Sequence, residues 1–272
     1  MDLNYPLKDY PLAILDLETT GLDAVLGDAI CEIGILKVKG GKIVDKFHSL
    51  VNPQRSMPAQ AYEVHKISPA DLKGAPLFEN IAVRLIDFLN GCVLCAYNVE
   101  FDLGFLDQSL KKIGYQPLDI ACVDILAIAR DALTLPRYNL EAVAKSFGID
   151  CGKNLHRALG DAVSAYQVFI KLIDMLKEKQ IEALDDYISL YSCNNAIFRA
   201  KEDKKISLLK EAIEKNLRLE IKYFSSQKAI SDENILPLRV FEEGKFFYLL
   251  YQGQAQDARR LCLRRLLDIQ TV

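Results

Sequence analysis

Four carboxylates and one imidazole in this 272-residue chain have the types and spacing to gather a hard cation beside a proton acceptor. Asp16 and Glu18 lie two apart in Leu12-Ala13-Ile14-Leu15-Asp16-Leu17-Glu18, whose apolar lead reads as a buried strand. Two apart on a strand means one face. Like charges held there repel unless a cation neutralises them. Oxygen-only ligands favour hard ions such as Mg²⁺ or Mn²⁺. A solvated strand end would also accommodate the pair. Asp102 follows a second buried run at a helix start, where an isolated Asp also serves as an N-cap. Asp161 sits in a long amphipathic segment with His156 five residues before it. That places His156 on the approach or first turn of the helix, able to face the same cleft, where an imidazole can accept a proton. Cys92 and Cys95 form a C-x-x-C inside a strand-like run, where alternation sends the thiols to opposite faces and argues against zinc or redox use.

The elements that must position these residues are readable in outline. Strands are expected at Leu12–Glu18, Ala29–Val38 and Ile43–Leu50, with Gly40-Gly41 as a hairpin signal, and a fourth at Cys92–Tyr97. Helical spacing marks Phe78–Leu89, Asp102–Ile113, Leu140–Phe147 and Leu159–Met175. Ser68-Pro69 signals a short helix start. Ile120–Ile128 mixes both signals. Three consecutive strands followed by alternation indicate a mixed sheet with helices packed on it. After Lys179 the character changes. Residues 181 to 204 read as a linker, helical or irregular through Ala200, Lys205–Asn216 as a helix, and Leu217–Phe224, Asn234–Phe241 and Lys245–Tyr251 as strands of a small β-rich unit.

Composition narrows the class. Half the residues are apolar, with 12 Phe and 12 Tyr, so a buried core is expected and disorder is not. No apolar run is long enough to cross a bilayer, and Met1–Tyr10 lacks a signal peptide's centre. With seven scattered cysteines, the expectation is a cytoplasmic protein. The net charge of −3 provides no global field for nucleic acid. From Lys201 onward, however, 14 Lys and Arg face 11 Asp and Glu, against 20 and 26 before it. An acidic front suits a site that collects cations.

Taken together, Asp16-Leu17-Glu18-Thr19-Thr20-Gly21, Asn98-x-x-Phe101-Asp102-x-x-Phe105-Leu106 and His156-x-x-x-x-Asp161 resemble the motifs of the DEDDh family of 3′–5′ exonucleases. That family contains the proofreading epsilon subunit of bacterial DNA polymerase III. Leu50-Val51-Asn52-Pro53 and Val64-His65-Lys66-Ile67-Ser68 match as well, so the resemblance spans about residues 11 to 178. It implies an α/β, RNase H-like exonuclease fold, a mixed five-stranded sheet flanked by helices, over residues 1–180. It also implies two divalent ions, Mg²⁺ or Mn²⁺, about 4 Å apart, clamping the attacking and leaving oxygens. Asp16, Glu18 and Asp161 would hold the ion that activates water. Asp16 would bridge to the second, with Asp102 in support, and His156 would take the water's proton. Thr19, Gly21, Leu22, His65, Asn98 and Phe105 are the implied substrate contacts, with Phe105 equally placed for the core. The substrate would be DNA with a free 3′ end, single-stranded or frayed, releasing nucleoside 5′-monophosphates. RNA or short oligonucleotides are the alternative, and a non-catalytic nucleic-acid-binding module is the alternative of another class. A polymerase partner is possible on this resemblance. Tyr97 replaces the family's usual His and Lys66 its usual Gly, which bears on substrate preference.

Residues 205–272 resemble the WYL domain. Phe247-Tyr248-Leu249 stands where that family has Trp-Tyr-Leu, and Leu261-Cys262-Leu263-Arg264-Arg265-Leu266 closes the motif. The resemblance implies a small Sm-like barrel. Arg239, Tyr248 and Arg265 become candidates for an anionic ligand such as a nucleotide or nucleic acid.

Overall fold

Continuous apolar runs become strands buried on both faces. The computed structural model describes residues 2–152, 156–253 and 257–271. In its first unit, Pro6–Asp174, β1 (Leu12–Thr19) lies at the centre of a five-stranded sheet. β2 (Ile30–Lys39) and β3 (Lys42–Leu50) extend the sheet antiparallel on one side, turning at Gly40-Gly41. Helices α1 (Ala59–His65), α2 (Pro69–Leu72) and α3 (Phe78–Leu89) follow. β4 (Val93–Ala96) then pairs parallel with β1 on its other side. α4 (Val99–Lys112) leads to β5 (Cys122–Asp124), which is parallel to β4 and closes the order β3-β2-β1-β4-β5. α5 (Ile125–Ala132), α6 (Leu140–Ser146) and the long α7 (Ala158–Lys177) complete the run.

The sequence explains these choices. The parallel pair β1–β4 is apolar at every aligned position, Leu12–Leu15 against Val93–Ala96, as a strand covered on both faces requires. Edge strand β3 instead carries Lys42, Asp45 and Lys46, which discourage further pairing. Side-chain caps start the helices: Ser68 and Asp71 form a capping box on α2, Asp124 caps α5 and Asn139 caps α6. Helix α1 was not legible in the sequence, because its Tyr62 and Val64 are largely exposed and leave no apolar stripe.

The second unit comprises Asp2–Tyr5 and the chain from Met175. It contains α8 (Leu184–Tyr191), α9 (Ala196–Glu214) and strands β6 (Leu219–Phe224), β7 (Ile230–Glu243), β8 (Phe246–Gln252), β9 (Ala258–Cys262) and β10 (Leu266–Thr271). The stretch expected as a linker is thus mostly helix. The sheet is antiparallel with order β10-β6-β7-β8-β9. Among the described residues no β9–β10 pairing closes it into the expected barrel. Phe247-Tyr248-Leu249 alternates as a strand should. Leu249 is fully buried in a core with Leu219, Ile221, Ile235 and Leu261, Phe247 packs against that core, and Tyr248 faces the other way. Lys205 of α9 is buried and donates to Ser189 Oγ and to the carbonyls of Leu263 and Leu266. Burial pushes its ammonium down to about 7.

Candidate active site

β1 passes from apolar to acidic where its parallel partner ends. Pairing with β4 stops at Leu15 and Ala96, and beyond it the Leu17 N–H donates to Asp102 Oδ1 at 3.1 Å. The strand fork therefore opens at the carboxyl end of the parallel strands, where ligands gather in open α/β sheets. Asp16 and Glu18 border this fork from β1. Asp102 enters it from the first turn of α4, whose N-cap Asn98 adopts φ 82°. Asp161 enters from the first turn of α7.

One carboxylate oxygen each from Asp16, Glu18 and Asp161 lies within 4.8 Å of the other two. Burial raises the Asp16 carboxyl well above its ordinary range, and the charges of Asp102, Glu18 and Asp161 raise it further. Burial, then Asp161 and Glu32, push Glu18 up to about 8. Burial also raises Asp102, opposed by the Leu17 N–H, and Asp161, opposed by the His156 N–H. These carboxylates repel one another across a half-buried gap. Asp161 supplies the sharpest detail. Its Oδ2 accepts the His156 N–H at 3.1 Å, while its Oδ1 is buried with no hydrogen-bond partner among the described residues. A buried orphan acceptor beside two more carboxylates is what a hard cation would satisfy, so the donor set fits a divalent ion.

The remaining sequence-derived candidates divide. Thr19 is buried, and its hydroxyl donates to the Gly21 carbonyl at 2.6 Å. A Cβ on Gly21 would fall 2.2 Å from Asp28 Oδ2, and Asp28 is pinned by Arg55, Thr20 and the Asp23 N–H. Gly21 thus lets the β1–β2 loop fold back on itself and project Leu22, which is 85% exposed. His156 is exposed, with φ 63°. His65 is buried instead. Its Nδ1 accepts the Ile67 N–H at 3.0 Å and its ring reaches the Thr19 backbone. Phe105 is also buried, tilted against Phe101 with centroids 4.8 Å apart, which is the core role. Tyr97 bonds the Tyr138 carbonyl at 2.7 Å. In the second unit Arg239 and Tyr248 share a sheet face on either side of Phe241, whereas Arg265 bonds the carbonyls of Phe224 and Ser225. All seven cysteines are free thiols.

The sequence reading missed two groups. Glu32 of β2 is fully buried beside Glu18 and bonds Arg157, His48 and the Ala158 N–H. Its partners are 16 and about 125 residues away, so no local spacing reveals them. Arg260 lies 3.6 Å over the Tyr248 ring from the neighbouring strand β9.

A sequence profile described as exonuclease matches residues 13–169, more than half the chain. The chain belongs to this exonuclease family. Its first unit carries a DEDDh-type 3′–5′ exonuclease domain related to the polymerase III epsilon subunit, and a WYL domain profile matches residues 204–271. The DNA polymerase III subunit epsilon of Rickettsia conorii is 39% identical over 166 residues, covering 59% of this chain and 72% of that protein. The PolC-type DNA polymerase III of Thermotoga maritima is 34% identical over 178 residues, covering 65% of this chain, and the chain spans only 13% of that polymerase. The solved nuclease domain of 3'hExo, a DEDDh family member bound to rAMP, superposes with a TM-score of 0.54 at 18% identity. It covers 63% of this chain and 93% of that one, which shows a shared fold. No helix among the described residues of this exonuclease-family chain is long and apolar enough to cross a membrane.

Proposed function

We propose that the chain removes nucleotides from the 3′ end of DNA, single-stranded or frayed, by phosphodiester hydrolysis that leaves nucleoside 5′-monophosphates. The observation that carries this reading is the cluster of Asp16, Glu18 and Asp161 carboxylates, in which the buried Asp161 Oδ1 has no hydrogen-bond partner among the described residues. Asp16, Glu18 and Asp161 would hold divalent cations, Mg²⁺ or Mn²⁺, with Asp102 beside them. When bound, two such ions polarise the phosphate and lower the pKa of water.

The protein's own groups do the rest. His156, on the exposed approach to α7, takes the proton from the attacking water at its imidazole. Its backbone N–H holds the Asp161 carboxylate at the same time. Asp102 braces β1 through Leu17 and so fixes the spacing of the two carboxylates flanking that residue. Thr19, Gly21 and Leu22 present the loop that meets the terminal nucleotide, with Asn98 at the α4 end of the fork. His65 supports that loop from below, through Thr19. The WYL-like unit would bind a nucleotide or nucleic acid on the face bearing Arg239, Tyr248 and Arg260, where rings and guanidinium groups alternate.

End-labelled DNA and RNA strands, incubated with Mg²⁺ or Mn²⁺, test the proposal. Shortening of DNA from the 3′ end, abolished in Asp16→Ala, is the expected result. Preference for RNA would redirect the substrate. Failure to shorten either polymer would overturn the enzymatic reading.

A further inference from the structure

Glu32 is a fifth carboxylate at the site, and it is not available to an ion. Its Oε1 accepts from His48 Nε2 and from an Arg157 terminal nitrogen, both at 2.7 Å. Its Oε2 accepts from Arg157 Nε and from the Ala158 N–H, both at 3.0 Å. Four donors occupy the two oxygens, a set that only an ionised carboxylate can accept in full. Burial works to raise the Glu32 carboxyl, but the Arg157, His48 and Ala158 bonds outweigh it and hold the group below its ordinary range.

The donors come from separate parts of the chain. His48 reaches across from β3. Arg157 and Ala158 are the last residue before α7 and the first within it. Between them and the catalytic groups there is almost no slack. His156 precedes Arg157, with a left-handed φ of 63°, a conformation that strains a non-glycine residue. Asp161 follows three residues after Ala158. Gly34, two residues beyond Glu32 on the same face of β2, lies against this corner. A Cβ there would stand 2.3 Å from Leu159 N and 2.4 Å from the Ala158 carbonyl carbon, both backbone atoms. The helix start therefore sits directly on β2, with Glu32 serving as its cap.

We propose that Glu32 is a positioning residue. Through the two-pronged Arg157 contact and the Ala158 N–H, it fixes the corner that presents His156 and Asp161 to Asp16 and Glu18. The catalytic part of this statement rests on the nuclease reading above. Placing another anion beside four carboxylates increases their repulsion, and Arg157 and His48 offset it. The arrangement exchanges electrostatic ease for a fixed geometry at the one turn that carries two functional residues.

The test uses the full chain with Glu32→Gln, Arg157→Gln, the double variant and Arg157→Lys. Glu32→Gln should lower kcat about 10- to 100-fold, as loss of a residue that orients metal ligands does, while KM changes little. Mn²⁺ affinity, read by calorimetry without substrate, should fall about tenfold. Amide exchange at Ala158–Asp161 should accelerate while the rest of the unit stays protected. If one contact is at stake, the double variant should be no worse than the poorer single. Arg157→Lys keeps the charge and loses the fork, so it should behave like Arg157→Gln. Near wild-type kcat in Arg157→Lys would overturn the proposal, as would unchanged Mn²⁺ affinity and exchange in Glu32→Gln. Should Glu32→Gln fail to fold, Arg157→Lys, at a half-exposed position, carries the same readouts. If the wild type cuts nothing, the nuclease reading fails, and Mn²⁺ affinity and amide exchange still decide the role of Glu32.

Discussion

In the first unit Asp16, Glu18 and Asp161 converge without an ion pair to a basic side chain among the described residues, and one Asp161 oxygen has no hydrogen-bond partner there. In the second unit Glu233 is just as crowded, yet it accepts from Tyr223 at 3.4 Å, Tyr251 at 3.3 Å and Arg259 at 2.9 Å. Lys205 there is equally complete, with a hydroxyl and two carbonyls as acceptors. Both regions bury ionisable side chains, but Glu233 and Lys205 are satisfied from within the chain, whereas among the described residues the Asp161 Oδ1 of the first cluster is not. A folded protein tolerates an unsatisfied cluster where something outside the chain completes it. The same contrast exists inside the first unit, where Glu32 is saturated and its strand neighbour Glu18 is not.

Matched substitutions should therefore have opposite consequences in the two regions. The largest effect is expected from Asp161→Asn. Nuclease activity should fall on the order of a thousandfold, about 4 kcal/mol of transition-state stabilisation, while ion-free stability rises by about 0.5–2 kcal/mol as repulsion is relieved. Single-turnover assays and denaturant titration measure the two. A variant that is both active and destabilised would erase the distinction between the regions.

The next effect is linked to pH. Folded Glu18 titrates near 8, against 4.5 when unfolded. The native state then binds more protons than the unfolded chain between those values, so ion-free stability falls as pH rises from about 4.5 to 8. A divalent ion relieves that penalty. At one fixed concentration, a hundredfold above its Kd at pH 8, Mg²⁺ or Mn²⁺ should raise Tm by about 5 °C or more near pH 8, and by clearly less near pH 5, where protons compete for the site. Equal increments at both pH values would place the ion elsewhere. Gly34→Ala should cost about 1–3 kcal/mol through displacement of the α7 start, with activity falling alongside. Unfolding curves that match wild type would refute the close approach. The smallest effect is expected in the second unit. Glu233→Gln should lower stability by about 0.5–1.5 kcal/mol, the opposite sign to Asp161→Asn, with exonuclease rates unchanged.

Much of this was legible from the residues. The apolar runs Leu12–Leu15 and Val93–Ala96 locate the parallel pair because strands covered on both faces have little chemical choice. The carboxylates stand out because each interrupts or follows such a run. What escaped detection depends on long-range contact. Glu32 reads as an ordinary polar position in a strand until Arg157, 125 residues later, is seen to meet it. Strand β9, Ala258–Cys262, is too rich in arginine to read as a strand and exists through its pairing with β8. Helix α9 begins well before its expected start, because Asn195 caps it and its early turns are mostly charged. The burial of His65 was not legible either, and Phe105 could be read equally as cleft or core until the structure placed it in the core. A motif preserves residue identity without saying whether a side chain faces the cleft or supports it from behind.

The bond from Leu17 N–H to Asp102 has a consequence for descent. Asp102 has a duty that survives the end of catalysis, because the fork between β1 and β4 leaves a backbone donor for it to accept. Asp161 divides its duties: its Oδ2 accepts the His156 N–H in the same way, while its Oδ1 has no partner among the described residues. In lineages where this fold ceases to cut, any replacement at Asp102 should retain an acceptor for the Leu17 N–H, and any at Asp161 an acceptor for the His156 N–H, as Asn does at either place. What replaces each acid would then record which of its bonds the fold itself still needs.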